Sequence, residues 1–237
     1  MDIPGRKVAV ITGASQGIGA GLVDAYRKLD HRVLATSRTI PPSGDPDVLT
    51  VQGDIADPAT AERIAATATE RFGRIDTLIN NAGLFIGKPF TEYSREDYEA
   101  MIGVNLTGFF RITQLAVEQM LRQDGGHVVQ ISTSLADYAS STEPSVLASL
   151  TKGGLQSATK SLAIEYAARG IRSNAVSLGI IRTPMHPGEY DEELARRHPL
   201  GRMGEVEDVV EAVRYLETAS FVTGVTLHVD GGRAAGH

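Results

Sequence analysis

Val8-Ala9-Val10-Ile11-Thr12-Gly13-Ala14-Ser15-Gln16-Gly17-Ile18-Gly19 is the stretch from which the rest of the chain can be read. Its first four residues form an unbroken apolar run rich in β-branched side chains, as a parallel strand covered on both faces requires. Thr12 to Gly19 then makes a Gly-x-x-x-Gly-x-Gly turn, after which Ile18, Leu22, Val23, Tyr26 and Leu29 recur at helical spacing. Glycine permits positive φ and close backbone approach, and the start of a helix offers unpaired N–H groups and a partial positive charge to an anion. A strand, this turn and a helix in that order suit the pyrophosphate of a dinucleotide. Gly13, Ser15, Gln16, Gly17, Ile18 and Gly19 are the candidate residues.

The same alternation runs outward from that start. Strands are expected at Arg32 to Thr36, Val48 to Val51, Thr77 to Ile79, Val128 to Ile131, Arg172 to Val176 and Val225 to Val229. Helices are expected over about 58–72, 101–122, 146–169 and 206–217. Strands separated by helices of this length imply right-handed crossovers. The fold class is α/β: one doubly wound Rossmann-type domain over residues 1–237, with a mostly parallel seven-stranded sheet and helices on both faces. The least regular stretch, 183–204, is rich in Pro, Gly and charge and reads as a substrate lid.

The chain's 237 residues suit one core of this kind, and no linker divides it. The net charge of −6 and the absence of a basic run argue against a nucleic-acid partner. No apolar stretch reads as long enough to span a bilayer and the start carries no signal-like region, so neither a membrane partner nor export is expected. With no cysteine there is no disulfide, thiolate ligand or thiol nucleophile, which is compatible with a cytoplasmic location. No His or carboxylate cluster has metal-ligand spacing, and Asp191-Glu192-Glu193 reads as a solvated helix start.

At the end of the second strand a dinucleotide fold that prefers NAD carries an acid for the ribose 2′-hydroxyl. Here the residues are Thr36-Ser37-Arg38. A hydroxyl and a planar guanidinium match a 2′-phosphate in shape and charge, which favours NADP(H) over NAD(H).

Further along come Asn80-Asn81-Ala82-Gly83, Val104-Asn105, Lys152, the run Leu178-Gly179-Ile180-Ile181-Arg182-Thr183-Pro184-Met185 and a closing Val229-Asp230-Gly231-Gly232. In this order and at these spacings, essentially the whole chain resembles the short-chain dehydrogenase/reductase family. The resemblance implies that Asp54 and Ile55 border the adenine and that Asn81, Ala82 and Gly83 line the ribose. It implies that Lys152 binds the nicotinamide ribose and that Gly179, Ile181 and Thr183 lie at the nicotinamide end. It also implies that Asn105 holds a helix distortion and a water, and that the protein acts on a small molecule as a homo-oligomer, a tetramer or dimer.

One position departs from the pattern. The family's proton donor is a Tyr four residues before the Lys, and four before Lys152 stands Ala148. A methyl group cannot donate a proton. Tyr138 in the preceding loop, the hydroxyls of Ser132, Thr133 and Ser134, or water held by Asn105 and Lys152 could take over. His186 and His198, in and beside the lid, are further titratable candidates. An iminium substrate would relax the need, because its carbon accepts hydride without a proton delivered to oxygen. The expected function is an NADP(H)-dependent oxidoreductase acting on a carbonyl, alcohol or imine with a non-standard proton donor. The alternatives are an NADP(H)-binding protein with little or no turnover, such as a sensor or partner subunit, and a non-redox reaction such as an elimination.

Overall fold

The computed structural model describes residues 5–123, 125–185 and 191–236. Seven strands, β1 (Val8–Thr12), β2 (Arg32–Ser37), β3 (Val48–Gln52), β4 (Thr77–Asn80), β5 (Gly126–Thr133), β6 (Ile171–Leu178) and β7 (Thr226–Val229), form one sheet. Their order is β3-β2-β1-β4-β5-β6-β7 and every neighbouring pair is parallel. The chain winds outward in both directions from β1, so the sequence order reverses between β1 and β4. A crevice at such a reversal, beyond the carboxyl ends of the strands, is where this architecture binds ligands.

Strand residues alternate between two cores because side chains alternate across a sheet. Ala9 and Ile11 join Leu22 and Tyr26 of α1 (Gly17–Lys28) and Val209, Val213 and Leu216 of α7 (Val206–Thr218). Val10 faces the other way, toward Ile64 of α2 (Pro58–Phe72) and Ile112, Ala116 and Met120 of α4 (Phe109–Arg122). The long α5 (Val146–Tyr166) reaches this second core through Tyr166. The irregular stretch 183–204 contains a short helix, α6 (Asp191–Arg196), which opens on its three acids as a helix start favours.

Two expectations need correcting. The helix placed at about 101 begins six residues earlier, as α3 (Arg95–Ile102). Ser94 accepts from the Asp97 N–H at 3.1 Å while Asp97 accepts from the Ser94 N–H at 3.0 Å, a reciprocal cap that starts the helix before its apolar face does. The second concerns membranes. The continuous helical run Arg95–Arg122 is long and apolar enough to cross a bilayer by length and composition. Part of that apolarity is core: Met101, Ile112, Ala116, Val117 and Met120 are buried.

The helix is widened into a π turn over Gly103–Gly108, between α3 and α4, and Asn105 lies within it, buried. At the opposite end of the sheet from the strand C-termini, Glu217 of α7 is buried in a polar network. It accepts from the Tyr26 hydroxyl at 3.1 Å and the Thr77 hydroxyl at 3.0 Å, and lies 3.0 Å from His127 Nδ1. Asn174 Nδ2 meets the other ring nitrogen of His127 at 3.0 Å.

Candidate active site

A cavity of about 680 Å³ opens along the C-terminal edge of the sheet at the point where strand order reverses. Every residue assigned above to the cofactor lines it, from Gly13 through Ser37, Arg38, Asp54, Ile55 and Asn81 to Gly83, Lys152, Gly179, Ile181 and Thr183.

The turn after β1 depends on its glycines. Gly13 and Gly17 have φ of +66° and +53°. A Cβ on Gly13 would lie 2.9 Å from Ala82 Cα, and one on Gly19 would lie 2.2 Å from the Gly13 carbonyl oxygen. Such contacts exclude any side chain, because the turn packs directly on Ala82 and on its own first glycine. Gln16 caps α1 without a side-chain hydrogen bond, and the first turn carries no acid. The start of α1 therefore keeps its donors and its partial positive charge for an anion.

Thr12, which sequence reading did not single out, fastens this turn to β4. Its hydroxyl accepts from the N–H groups of Asn81 at 3.1 Å and Ala82 at 3.0 Å and donates to the Ile79 carbonyl at 3.3 Å. Asn81 answers with its amide, which donates to the carbonyls of Thr12 at 3.0 Å and Gly13 at 3.1 Å. At the end of β2, Ser37 Oγ accepts from Thr39 N at 3.2 Å, which leaves its proton free, and Arg38 is exposed beside the cavity.

Lys152 projects from α5 and donates to the Ile131 carbonyl at 2.9 Å. Burial disfavours its charge and brings its pKa down to about 8. Asn105 does not line the cavity. Its oxygen accepts from Leu84 N and its amide donates to Leu84 O, both at 2.9 Å, and the amide also reaches Thr151 Oγ1 at 3.2 Å. Asn105 thus pins the loop following Gly83, and Thr151 ties it to α5 one residue from Lys152.

Ala148 lines the cavity and is buried against Leu147 and Met101. Of the hydroxyls proposed to act there, Thr133 lines the cavity and accepts from Leu135 N at 3.3 Å. Ser134 and Tyr138 do not line it, and both hydroxyl oxygens are buried without a hydrogen-bond partner among the described residues. Burial pushes the Tyr138 phenol up, and the Arg233 guanidinium lies 5.3 Å from its ring centre. His198 is also set off this cavity. Its Nε2 accepts from Ile180 N at 3.0 Å, its Nδ1 meets the Leu194 carbonyl at 3.0 Å, and burial lowers its pKa, so it is a neutral structural imidazole. His186 lies outside the described residues.

Three charged residues on the cavity wall had no local signature in the sequence: Glu143, Arg197 and Arg233. They come from the loop before α5, the end of α6 and the turn after β7, so only the fold brings them together.

Comparison with known proteins agrees with this geometry. A family profile described as enoyl-(acyl carrier protein) reductase matches residues 13–234. The 3-oxoacyl-[acyl-carrier-protein] reductase FabG of Thermotoga maritima is 34% identical over 95% of this chain and 97% of its own. The 3beta-hydroxysteroid dehydrogenase 1 of Eggerthella lenta is also 34% identical, over 98% of this chain and 94% of its own. Among solved structures, ElxO with NADP bound superposes with a TM-score of 0.91 at 29% identity, covering 98% of this chain and 100% of that one. The 3-ketoacyl-(acyl-carrier-protein) reductase of Brucella melitensis complexed with NADH gives 0.89 at 28% identity, covering 96% and 98%. With a profile match over nearly its whole length and relatives of this identity and coverage, the chain belongs to the short-chain dehydrogenase/reductase family of oxidoreductases.

Proposed function

We propose that the protein is an NADP(H)-dependent oxidoreductase that moves hydride between the nicotinamide and a small-molecule carbonyl, alcohol or imine, using a proton source other than a phenol at position 148. The observation that carries the cofactor choice is the end of β2, where Ser37, Arg38 and Thr39 border the cavity and no carboxylate is present. One solved relative holds NADP and another NADH, so the fold alone does not choose, and these side chains support NADP(H).

When bound, the cofactor supplies or accepts hydride. The Gly13 to Gly19 turn would hold its pyrophosphate, Asn81 to Gly83 and Lys152 its riboses, and Ile181 and Thr183 its carboxamide. Lys152 is then the acid that remains on the wall. With a pKa of about 8 it is protonated at neutral pH and yields its proton more readily than an exposed lysine. Thr133 shares the wall and has a hydroxyl proton free to donate. Tyr138, set off the cavity, is the weaker candidate. An iminium substrate needs no proton on oxygen, so this site is less handicapped toward imines than toward ketones.

Purified protein with NADPH, assayed on matched cyclic imines and ketones, tests the reading. Imines are expected to turn over faster, and equal rates would overturn that preference. Arg38→Ala should raise KM for NADPH at least about tenfold more than KM for NADH, since a charged hydrogen bond of this kind contributes about 1.5–3 kcal/mol. Equal effects would remove the NADP assignment. The buried Ala148 methyl favours a second reading, a cofactor-binding protein with little turnover, and tight NADPH binding with no oxidation across the panel would establish it.

A further inference from the structure

The substrate side of the cavity carries charges for which hydride transfer has no use. Arg197 Nη1 reaches Glu143 Oε1 at 3.0 Å, and Arg233 Nη2 pairs with Glu143 Oε2, so one carboxylate is divided between two guanidiniums. Two other acids lie close by, one paired with Arg197 at the surface and one bonded to backbone. Glu193, 2.6 Å from Arg197 Nη2, has 61% of its side chain in solvent, where its charge is screened. Asp230 accepts from the N–H groups of Gly232 at 3.0 Å and Ala234 at 2.8 Å.

Arg233 is the unusual member. It lines the cavity, is only 4% exposed, and its Nε has no hydrogen-bond acceptor among the described residues. A buried guanidinium N–H without an acceptor is costly and uncommon in native proteins, and a ligand oxygen is one way to satisfy it. The guanidinium is held over the Tyr138 ring, so its edge is already oriented.

We propose that Arg233, with Arg197 beside it, binds a carboxylate on the substrate. The substrate class is then a carbonyl or imine compound whose anionic end is separated from the reacting carbon by an apolar segment, which Leu84, Phe85, Met185 and Leu194 would enclose. Glu143 lies between the two guanidiniums and repels a doubly charged ligand more than a singly charged one, which points to a carboxylate rather than a phosphate dianion. The identity of the reacting carbon rests on the oxidoreductase reading above; the anion site does not.

Binding and turnover separate the two. The protein saturated with NADPH is titrated calorimetrically with 2-oxo, 4-oxo and 6-oxo alkanoates and with their methyl esters, and NADPH oxidation is followed with the same compounds. At least one carboxylate is expected to bind tenfold or more tighter than its ester. In Arg233→Lys, which keeps a cation for Glu143 but removes the Nε donor, that ratio should fall several-fold. Arg197→Gln should lower it as well and serves if Arg233→Lys proves unstable by thermal melting. Equal binding of every acid and ester by the wild-type protein overturns the proposal, as does a ratio unchanged in both variants. Discriminating binding without NADPH oxidation would instead sink the reductase reading and leave the anion site standing.

Discussion

At position 148 a methyl group faces a cavity whose other walls are equipped to hold a dinucleotide, and that contrast makes a direct experiment available. If the pocket keeps the family's geometry, Ala148→Tyr should raise ketone reduction by about 10²-fold or more, the contribution of a positioned acid. Steady-state assays with NADPH check it. Lys152 makes a separate prediction about stability. Burial lowers its folded-state pKa from 10.5 to about 8, so between these values the unfolded chain binds more protons than the folded one. The penalty is complete below about pH 8 and disappears as pH rises through 10.5. Denaturation of the cofactor-free protein should therefore show stability rising across that window by about 3 kcal/mol at most, from 1.36 kcal/mol per unit. Lys152→Met should lack the rise and lose activity.

Helix ends and strand ends carry the rest of the local argument. Ser94→Ala removes the reciprocal cap on α3 and should cost about 1 kcal/mol in chemical denaturation, with little effect on cofactor binding. That same cap explains why the start of α3 was not legible from apolar periodicity: hydrogen bonding fixed it, nearly two turns ahead of Met101, the only buried residue of α3. Five strands, by contrast, were legible to within one residue at each end, because a parallel strand buried on both faces is a short apolar run bounded by polar turns, while β5 and β6 run on past their apolar runs by up to two residues at an end. The cofactor cradle was legible for a similar reason, since glycine spacing records a backbone requirement directly. The wall that faces the substrate was not. Glu143, Arg197 and Arg233 are ordinary charges in three separate segments, and Thr12 is one hydroxyl at a strand end whose bonding partners lie about seventy residues away.

Over the whole molecule, the two ends of the sheet behave differently. The cofactor end is open, whereas the end occupied by Glu217 is a closed polar network. Burial would raise the Glu217 carboxyl, but His127, His31 and Thr77 hold it well below the usual carboxylate range, and burial also lowers His127. Both shifts have the same sign for acid stability. His127 resists protonation below 6.5 and the Glu217 contribution is complete above its unfolded value near 4.5, so stability should fall as pH drops below about 6.5 through His127 and fall further below about 4.5 through Glu217. Thermal melts from neutral pH to below 4.5 should show both losses, and Glu217→Gln should flatten the part below 4.5. On the outer faces, Phe110 of α4 and Leu150 and Ile164 of α5 are exposed at 64%, 59% and 80%. We infer that copies of the chain meet there as a dimer or tetramer. Sedimentation velocity should show a species larger than one chain, and Leu150→Glu should shift it toward the monomer. Finally, the Thr12 hydroxyl and the Asn81 amide bolt together the two halves of the winding at the cofactor end of the β1–β4 pairing. Cofactor seated against Gly13 should therefore be felt on both sides of that joint. In amide hydrogen exchange, NADPH should slow opening of β4 and β5 together with β1 and β2, and Thr12→Val should confine the protection to the half that touches the phosphates.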